Sequence, residues 1–332
     1  MKVIAFTSGE NDPSRRFRLA QHKDELRQYD INIKEVYSKY GAYPPASNRL
    51  GWGMKNLGII AKYPYIARDY DIAFLQRTFI SRIRTFENML NIPRIFDVDD
   101  AIYVKGNYTD KIAYKSQAVI CGNDILAQYY EKFNKNIYII PTAVDVRKFT
   151  PKKIKEKEEK FIIGWSGTSS NLTYLYEIED ELDKVVRAHD NIQLKIISNQ
   201  KPNFKRIPDE KIEFVKWSSE NEVKELQDFS VGIMPLANTE WEQGKCSFKM
   251  LTYMACEIPV VVSEVGMNSK VLRMGECGIG IKQNSQWSTA LLDIYNNEKE
   301  CYKMGKVGRK IIKNNFSIQV ISSQLEKVIN SL

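Results

Sequence analysis

The chain has 332 residues, 43% of them hydrophobic and 27% charged, with a net charge of +8. That length suits two domains, and no apolar run approaches the roughly 18 residues of a membrane span. Five scattered cysteines without a C-x-x-C pair speak against a disulfide framework or zinc site and for a reducing cytoplasm. Two histidines, His22 and His189, make a multi-histidine metal centre or a Ser-His-Asp hydrolase improbable. No G-x-x-x-x-G-K-[ST] is present, and no G-x-G-x-x-G follows the first apolar run. The positive balance admits anionic ligands, an anionic membrane face or nucleic acid; no zinc finger, helix-turn-helix or RNA-binding aromatic motif supports the last.

Met1–Thr7 is too short, and too soon broken by Gly9, Asn11 and Asp12, for a signal peptide, and reads as a first strand. Further strands are expected at 31–36, 72–75, 94–97, 118–121 and 137–140, with helices at 16–29 and 123–133. Between Arg49 and Arg94 eight basic residues meet three acidic ones, Asp69, Asp71 and Glu87, with Trp52, Tyr63, Tyr65, Tyr70 and Phe79 interleaved. A membrane-surface helix has this composition, and so has a basic solvated face over an ordinary core. The almost wholly charged segment Pro151–Lys160 is expected to be an exposed linker. A second series follows: strands at 161–165, 194–198, 212–215, 231–235, 259–262 and 278–282, and helices at 172–189, 221–229, 248–256, 267–274 and 286–296. The end, 299–332, reads as helical with a break near Asn314–Ser317. Alternating strands and helices predict an α/β protein with parallel sheets. The organisation expected is 1–150, then 151–315, with a last helix at about 316–332 packing back on the first domain and a ligand held in the cleft between two halves.

The most informative stretch runs from Trp241 to Val262. It reads as a loop, an amphipathic helix and a buried strand, with Ser247 as the expected helix cap. Lys245 and Lys249 then sit where cations oppose the helix dipole. An anion at that end removes the conflict, and a flexible Gly244 with backbone N–H groups around Cys246 and Ser247 suits a phosphate or diphosphate; two solvated surface lysines are the alternative. Lys245, Lys249 and Thr252 share one helical face. The cluster Asp97-Val98-Asp99-Asp100 has its own two readings, a D-x-D that holds a divalent cation or a helix N-cap for the segment after Ala101.

Four pieces of sequence resemble the retaining, nucleotide-sugar-dependent glycosyltransferases of family 4. They are Ile163–Thr168, Val231–Leu236, the stretch from Trp241 through Tyr253-Met254-Ala255 to Ile258-Pro259-Val260-Val261, and Ile140–Asp145. Pro13–Arg18 and Phe96–Ala101 resemble a bacterial branch associated with surface polysaccharides. The resemblance implies the GT-B fold, two Rossmann-like domains facing each other across a cleft, the first binding the acceptor and the second the nucleotide-sugar donor. It implies donor contacts at Gly167, Thr168, Glu242, Gly244, Lys245, Cys246, Ser247, Lys249 and Thr252. Lys249 would stabilise the departing phosphate, and Asp99 or Asp100 would orient the acceptor hydroxyl or act as base. Arg15, Arg16 and Arg18 would hold an acceptor phosphate, such as a lipid diphosphate, with Arg18 equally readable as a surface salt-bridge partner. No cofactor or metal is expected. The acceptor would be a glycan or lipid-linked precursor at the inner face of the cell membrane, reached by a cytoplasmic protein with peripheral contact through the basic 49–94 region. Many relatives carry a ribose-binding Glu where this chain has Thr252, and Glu242 is equally readable as a solvated loop acid. Two alternatives stay open: a catalytically silent GT-B subunit, and a metal-dependent GT-A transferase using Asp97 and Asp99.

Overall fold

A computed structural model of the chain describes residues 1–7, 9–10, 12–38, 49–152 and 160–332. The chain divides into two compact units: Met1–Ala143 with Gln243–Cys246 and Ile318–Leu332, and Val144–Glu242 with Ser247–Ser317. Of the expected linker, 153–159 lies outside the described residues.

The strands in chain order are β1 (Lys2–Thr7), β2 (Asn32–Tyr37), β3 (Ile72–Gln76), β4 (Arg94–Val98), β5 (Ala118–Cys121) and β6 (Ile137–Ile139). Then come β7 (Phe161–Ser166), β8 (Ile192–Ser198), β9 (Ile212–Lys216), β10 (Val231–Met234), β11 (Val260–Ser263) and β12 (Gly278–Ile281). The first six form one sheet in the order β2-β1-β3-β4-β5-β6. The others form a second, β12-β11-β10-β7-β8-β9. Every pairing is parallel, so each connection is a crossover. β3, β4, β5, β10 and β11 are buried at every residue, as expected of parallel strands covered on both faces.

The α-helices of the first half are α1 (Pro13–Arg18), α2 (Lys23–Arg27), α3 (Arg49–Ile60), α4 (Tyr63–Ile66), α5 (Asp110–Lys115) and α6 (Asp124–Tyr130). In the second half they are α7 (Thr173–Tyr176), α8 (Glu179–Ala188), α9 (Glu222–Leu226), α10 (Glu240–Gln243), α11 (Phe248–Ala255), α12 (Met267–Leu272), α13 (Trp287–Asn296), α14 (Glu298–Asn315) and α15 (Ile318–Asn330). The single helix expected at 16–29 is broken. It begins earlier, because Asp12 accepts from the Ser14 amide (2.8 Å) and Pro13 stands at the first helical position. The chain leaves helical geometry at Leu19 (φ −133°, ψ −61°) and passes through a 3-10 turn at Ala20–His22 before α2. The helix expected at 172–189 is likewise split at Ile178, whose buried side chain joins the core.

Each unit has its own core. In the first, Val3, Ala5, Ile72, Phe74, Ile95 and Ile120 meet Leu19 and Leu26 and the α15 residues Ile318, Ile321, Leu325 and Val328. In the second, Ile163, Trp165, Leu194 and Ile196 pack with Leu182, Val185 and Val186 of α8 and Trp287 and Leu291 of α13. Burial of each such aliphatic side chain stabilises by about 1.5–3 kcal/mol.

His22 lies in the first core with its Nδ1 2.8 Å from Ser322 Oγ of α15. Burial, with Arg18 adding to it, lowers its pKa to about 3. The unfolded chain therefore takes up a proton near pH 6.5 that the folded chain refuses, and the stability this contributes is present above that pH and lost as pH falls. Between pH 7 and 5 the loss from this one group is about 2 kcal/mol. Urea unfolding at the two pH values checks it, and His22→Gln should flatten the dependence in that window.

Candidate active site

In the second unit the site starts from an aromatic side chain and a missing one. Gly232 of β10 has no Cβ, and the Tyr253 ring of α11 occupies the space a Cβ would need. Across that contact the Tyr253 hydroxyl accepts a hydrogen bond from the Ser166 amide at the end of β7 (2.8 Å), while its ring packs edge-on against Phe229. α11 is thus pinned where β7 and β10 meet. The sheet order reverses at that pair, and open α/β sheets bind ligands outside the carboxyl ends of such strands.

One turn before Tyr253, on the same helical face, Lys249 places its Nζ 4.5 Å from the centroid of the buried Trp165 ring. Gly167 makes room for it: a Cβ there would lie 2.8 Å from both Lys249 Cε and Nζ and 2.7 Å from the Trp165 ring. Thr168 is exposed at the start of the following turn, where its hydroxyl accepts from Asn171 Nδ2 (2.8 Å). The expected Ser247 cap is not formed. Ser247 is buried in the left-handed region (φ 54°) and its side chain makes no cap bond; the first main-chain bond of α11 runs from Leu251 N to Ser247 O (3.1 Å). Thr252 is buried and donates its hydroxyl proton to Lys249 O (2.8 Å), so that proton is engaged within the helix. Glu242 is no solvated loop acid. It is buried, and its two carboxylate oxygens accept from the hydroxyls of Tyr174 and Thr239.

The segment Gln243–Cys246 packs with the first unit. Gly244 is a close-packed residue: a Cβ on it would lie 2.5 Å from Ala101 Cβ and 2.9 Å from Ala101 N. Asn123 uses its amide twice, capping α6 by accepting from Leu126 N (3.0 Å) and donating to Gly244 O (3.0 Å) and Lys245 O (3.1 Å). The Cys246 thiol donates to Asp99 O (3.1 Å) and fills the space left by Gly122.

Asp99 and Asp100 follow β4, and neither caps the turn after Ala101, which has no side-chain cap. Both are held by Arg77, whose Nε lies 2.5 Å from Asp99 Oδ1 and Nη2 2.6 Å from Asp100 Oδ2. Arg77 reaches them from a left-handed backbone position (φ 56°) just after β3. Burial pushes both carboxyls upward. At Asp99 the charges of Arg77 and Arg18 outweigh it and hold the group below the usual carboxylate range. At Asp100 burial prevails over Arg77, with repulsion from Asp99 added, and the proton is held more tightly; Lys245 pulls the other way.

Arg18 is not a surface residue. It is buried with Asp97, which its Nη2 and Nε both reach (Nε 3.2 Å), and its Nη1 donates to Ile140 O (2.7 Å). Burial alone would lower the guanidinium; Asp97 outweighs it and holds the charge in place. Arg15 pairs with Glu35 (2.5 Å) and donates to Glu10 O (2.8 Å), and Arg16 lies over the Phe17 ring (4.6 Å). With Asp97 taken by Arg18 and Asp99 by Arg77, the D-x-D carboxylates are turned to different arginines. Among the described residues no group of three or more His, Cys, Asp or Glu is arranged to hold a metal ion.

Three functional candidates escaped the sequence reading. Arg77 stood there only as one basic residue among eight. Thr7 and Gln76 end β1 and β3, the pair where the first sheet's order reverses. Gln76 stands in register with Asp97, and Thr7 Oγ1 and both ends of the Gln76 amide are buried without a hydrogen-bond partner. The sequence signal was a glutamine closing an otherwise apolar strand, a polar residue that burial rarely tolerates without a task.

Residues 161–297 match the family model described as Glycosyl transferases group 1. The matched segment takes in most of the second unit, together with Gln243–Cys246 of the first. Solved structures extend the likeness to both units at the level of fold. A sucrose-phosphate synthase from Thermosynechococcus elongatus matches with a TM-score of 0.72 at 12% identity, over 100% of this chain and 98% of that one. HepE from Anabaena, in complex with UDP-glucose, matches with 0.72 at 11% identity over 100% of both. An alpha-glucosyltransferase in complex with UDP-glucose and DNA containing an abasic site matches with 0.71 at 11% identity, over 99% and 98%. A comparison with curated proteins finds no sequence match. The architecture is therefore GT-B, and the single-domain GT-A alternative is overturned by the two six-stranded parallel sheets.

Proposed function

We propose that the chain is a family 4 hexosyltransferase that moves a sugar, with retention, from a nucleotide-sugar donor to a glycan or lipid-linked acceptor in bacterial surface-polysaccharide synthesis at the cytoplasmic face of the membrane. The observation that carries the reading is Lys249, seated on Trp165 beside Gly167 at the carboxyl ends of β7 and β10, inside the segment that matches the glycosyltransferase family. A cation so placed stabilises the departing diphosphate as the bond from the sugar's anomeric carbon to phosphate oxygen breaks. Gly167 and Thr168 approach the diphosphate from the β7 side. Ser247, Thr252 and Glu242 are proposed as donor contacts, Glu242 toward the sugar hydroxyls. The same proposal keeps Gly244, Lys245 and Cys246, on the segment before Ser247, in that role. In the first unit Asp99 or Asp100, gathered by Arg77, takes the proton of the attacking acceptor hydroxyl or orients it. Arg15 and Arg16 meet an acceptor phosphate. Arg18, buried against Asp97, serves the site by its charge on Asp99 and not by meeting the acceptor.

UDP-glucose is the first donor to try, since it is bound in two of the similar structures. The purified chain should gain thermal stability with one of UDP-, GDP- or ADP-glucose, by about 2.7 kcal/mol at a hundredfold excess over Kd. It should hydrolyse that donor slowly, undiminished by EDTA. No shift with any nucleotide sugar would sink the reading. The commitment of the Thr252 hydroxyl to Lys249 O favours one rival, a silent GT-B subunit. Binding without turnover in the presence of glycan and lipid-linked acceptors would establish it instead.

A further inference from the structure

We infer that the α3–α4 segment of the first unit docks on an anionic lipid surface, with the outward face of α3 inserted among the headgroups. The segment is anchored from beneath. Tyr63 enters an aromatic cluster with Phe6, Phe79 and Phe86 at centroid distances of 5.3, 5.2 and 5.0 Å. Trp52 and Asn56 are buried on the same side, and Asn56 Nδ2 donates to Trp52 O (2.9 Å). The opposite side holds Met54, Leu57, Gly58 and Ala61, at i, i+3, i+4 and i+7, and all four are exposed. A main-chain bond from Ala61 N to Leu57 O (3.0 Å) carries the helical turn through to the last of them. Met54 is 66% exposed and Leu57 69%, and beyond the turn Tyr65 is 74% and Ile66 38% exposed. A helix built only for solubility would put polar side chains at these positions.

Charge selects the occupant. Residues 49–68 contain four basic residues and no acidic one. Lys55, Lys62 and Arg68 are exposed beside the apolar positions, and the Arg68 guanidinium lies 5.7 Å from the Tyr65 ring centroid. An apolar ridge flanked by long cationic side chains, with a tyrosine at its end, matches the boundary between acyl chains and anionic headgroups. Among the described residues no helix is long and apolar enough to cross a membrane, so the contact is one of lying on the surface. The inference rests on the proposed function only in that a membrane-borne acceptor gives the contact a use.

Vesicle co-sedimentation of the full chain tests it. Wild type should sediment with phosphatidylcholine vesicles containing phosphatidylglycerol and remain in solution with phosphatidylcholine alone. Removing Lys55, Lys62 and Arg68 as glutamines should weaken binding roughly fivefold per cation. Met54→Glu with Leu57→Glu should weaken it at least about tenfold. Both substitution sets should leave the UDP-glucose thermal shift at the wild-type value, so that loss of donor binding in wild type would count against the enzyme reading alone. The inference fails if wild type ignores anionic vesicles, if neutral vesicles bind equally well, or if the Met54/Leu57 variant binds as wild type. It fails equally if those two substitutions dissolve a wild-type dimer in sedimentation velocity while vesicle binding is absent, because the ridge is then an interface between copies.

Discussion

Lys249→Ala is expected to lower the turnover of a nucleotide-sugar donor by about 10²–10³-fold, the size of effect seen when a preorganised partner of developing negative charge is removed. The fold should survive it. Lys249 is half-buried and sets its ammonium over the face of Trp165, whose ring is otherwise packed in the core of the second unit. The cation–π contact is worth about 0.5–1 kcal/mol, so the melting temperature should hardly move while donor binding collapses. Unchanged affinity for every nucleotide sugar would remove Lys249 from the site. Gly167→Ala gives an independent approach to the same group, because the added methyl would stand 2.8 Å from Nζ. It should displace the ammonium without deleting the charge, and a loss of turnover in both variants with little loss of stability would tie the defect to where the cation sits.

The architecture was legible in the sequence because parallel strands buried on both faces write themselves as short apolar runs. All twelve strands lie within two residues of where those runs predict them, from Lys2–Thr7 to Gly278–Ile281. Helix interruptions were less legible. Leu19 and Ile178 look like ordinary members of a 3.6-residue pattern, and only the packing of their side chains into a core shows why the helix stops there. The residue types at the candidate site were legible too, but their partners were not. Nothing local says that Arg18 meets Asp97 across 79 positions, that Asn123 holds the Gly244–Lys245 carbonyls across 121, or that Arg77 gathers Asp99 and Asp100. The two arginine pairings are products of strand order, which brings the ends of β1, β3 and β4 side by side. Ser247 shows the same limit from the other direction. A serine before a helix is a good cap by type, yet its backbone turns left-handed and the cap is not made.

The Arg18–Asp97 pair separates a structural from a binding role most sharply. If Arg18 met an acceptor phosphate, its loss would raise the acceptor KM and leave the unfolding free energy near wild type. The geometry predicts the reverse. Both side chains are almost wholly out of solvent, at 3% and 0% exposure, so Arg18→Met strands a carboxylate at the end of β4 with no water to solvate it. Breaking such a pair from one side costs about 3–5 kcal/mol, whereas replacing both partners by apolar groups is often neutral. Urea unfolding should therefore show Arg18→Met strongly destabilised and the double variant Arg18→Met with Asp97→Leu close to wild type. The double variant would still lose activity to the extent that Asp97 and Arg18 set the charge on Asp99, which Arg18 helps to hold low. In that case the pH at which turnover falls on the acid side should move upward while donor affinity stays put. Arg16→Met, removing a guanidinium that lies over Phe17, should change stability by no more than about 0.5–1 kcal/mol. If Arg18→Met were as stable as Arg16→Met, the buried ion pair would not be what holds the end of β4 to α1.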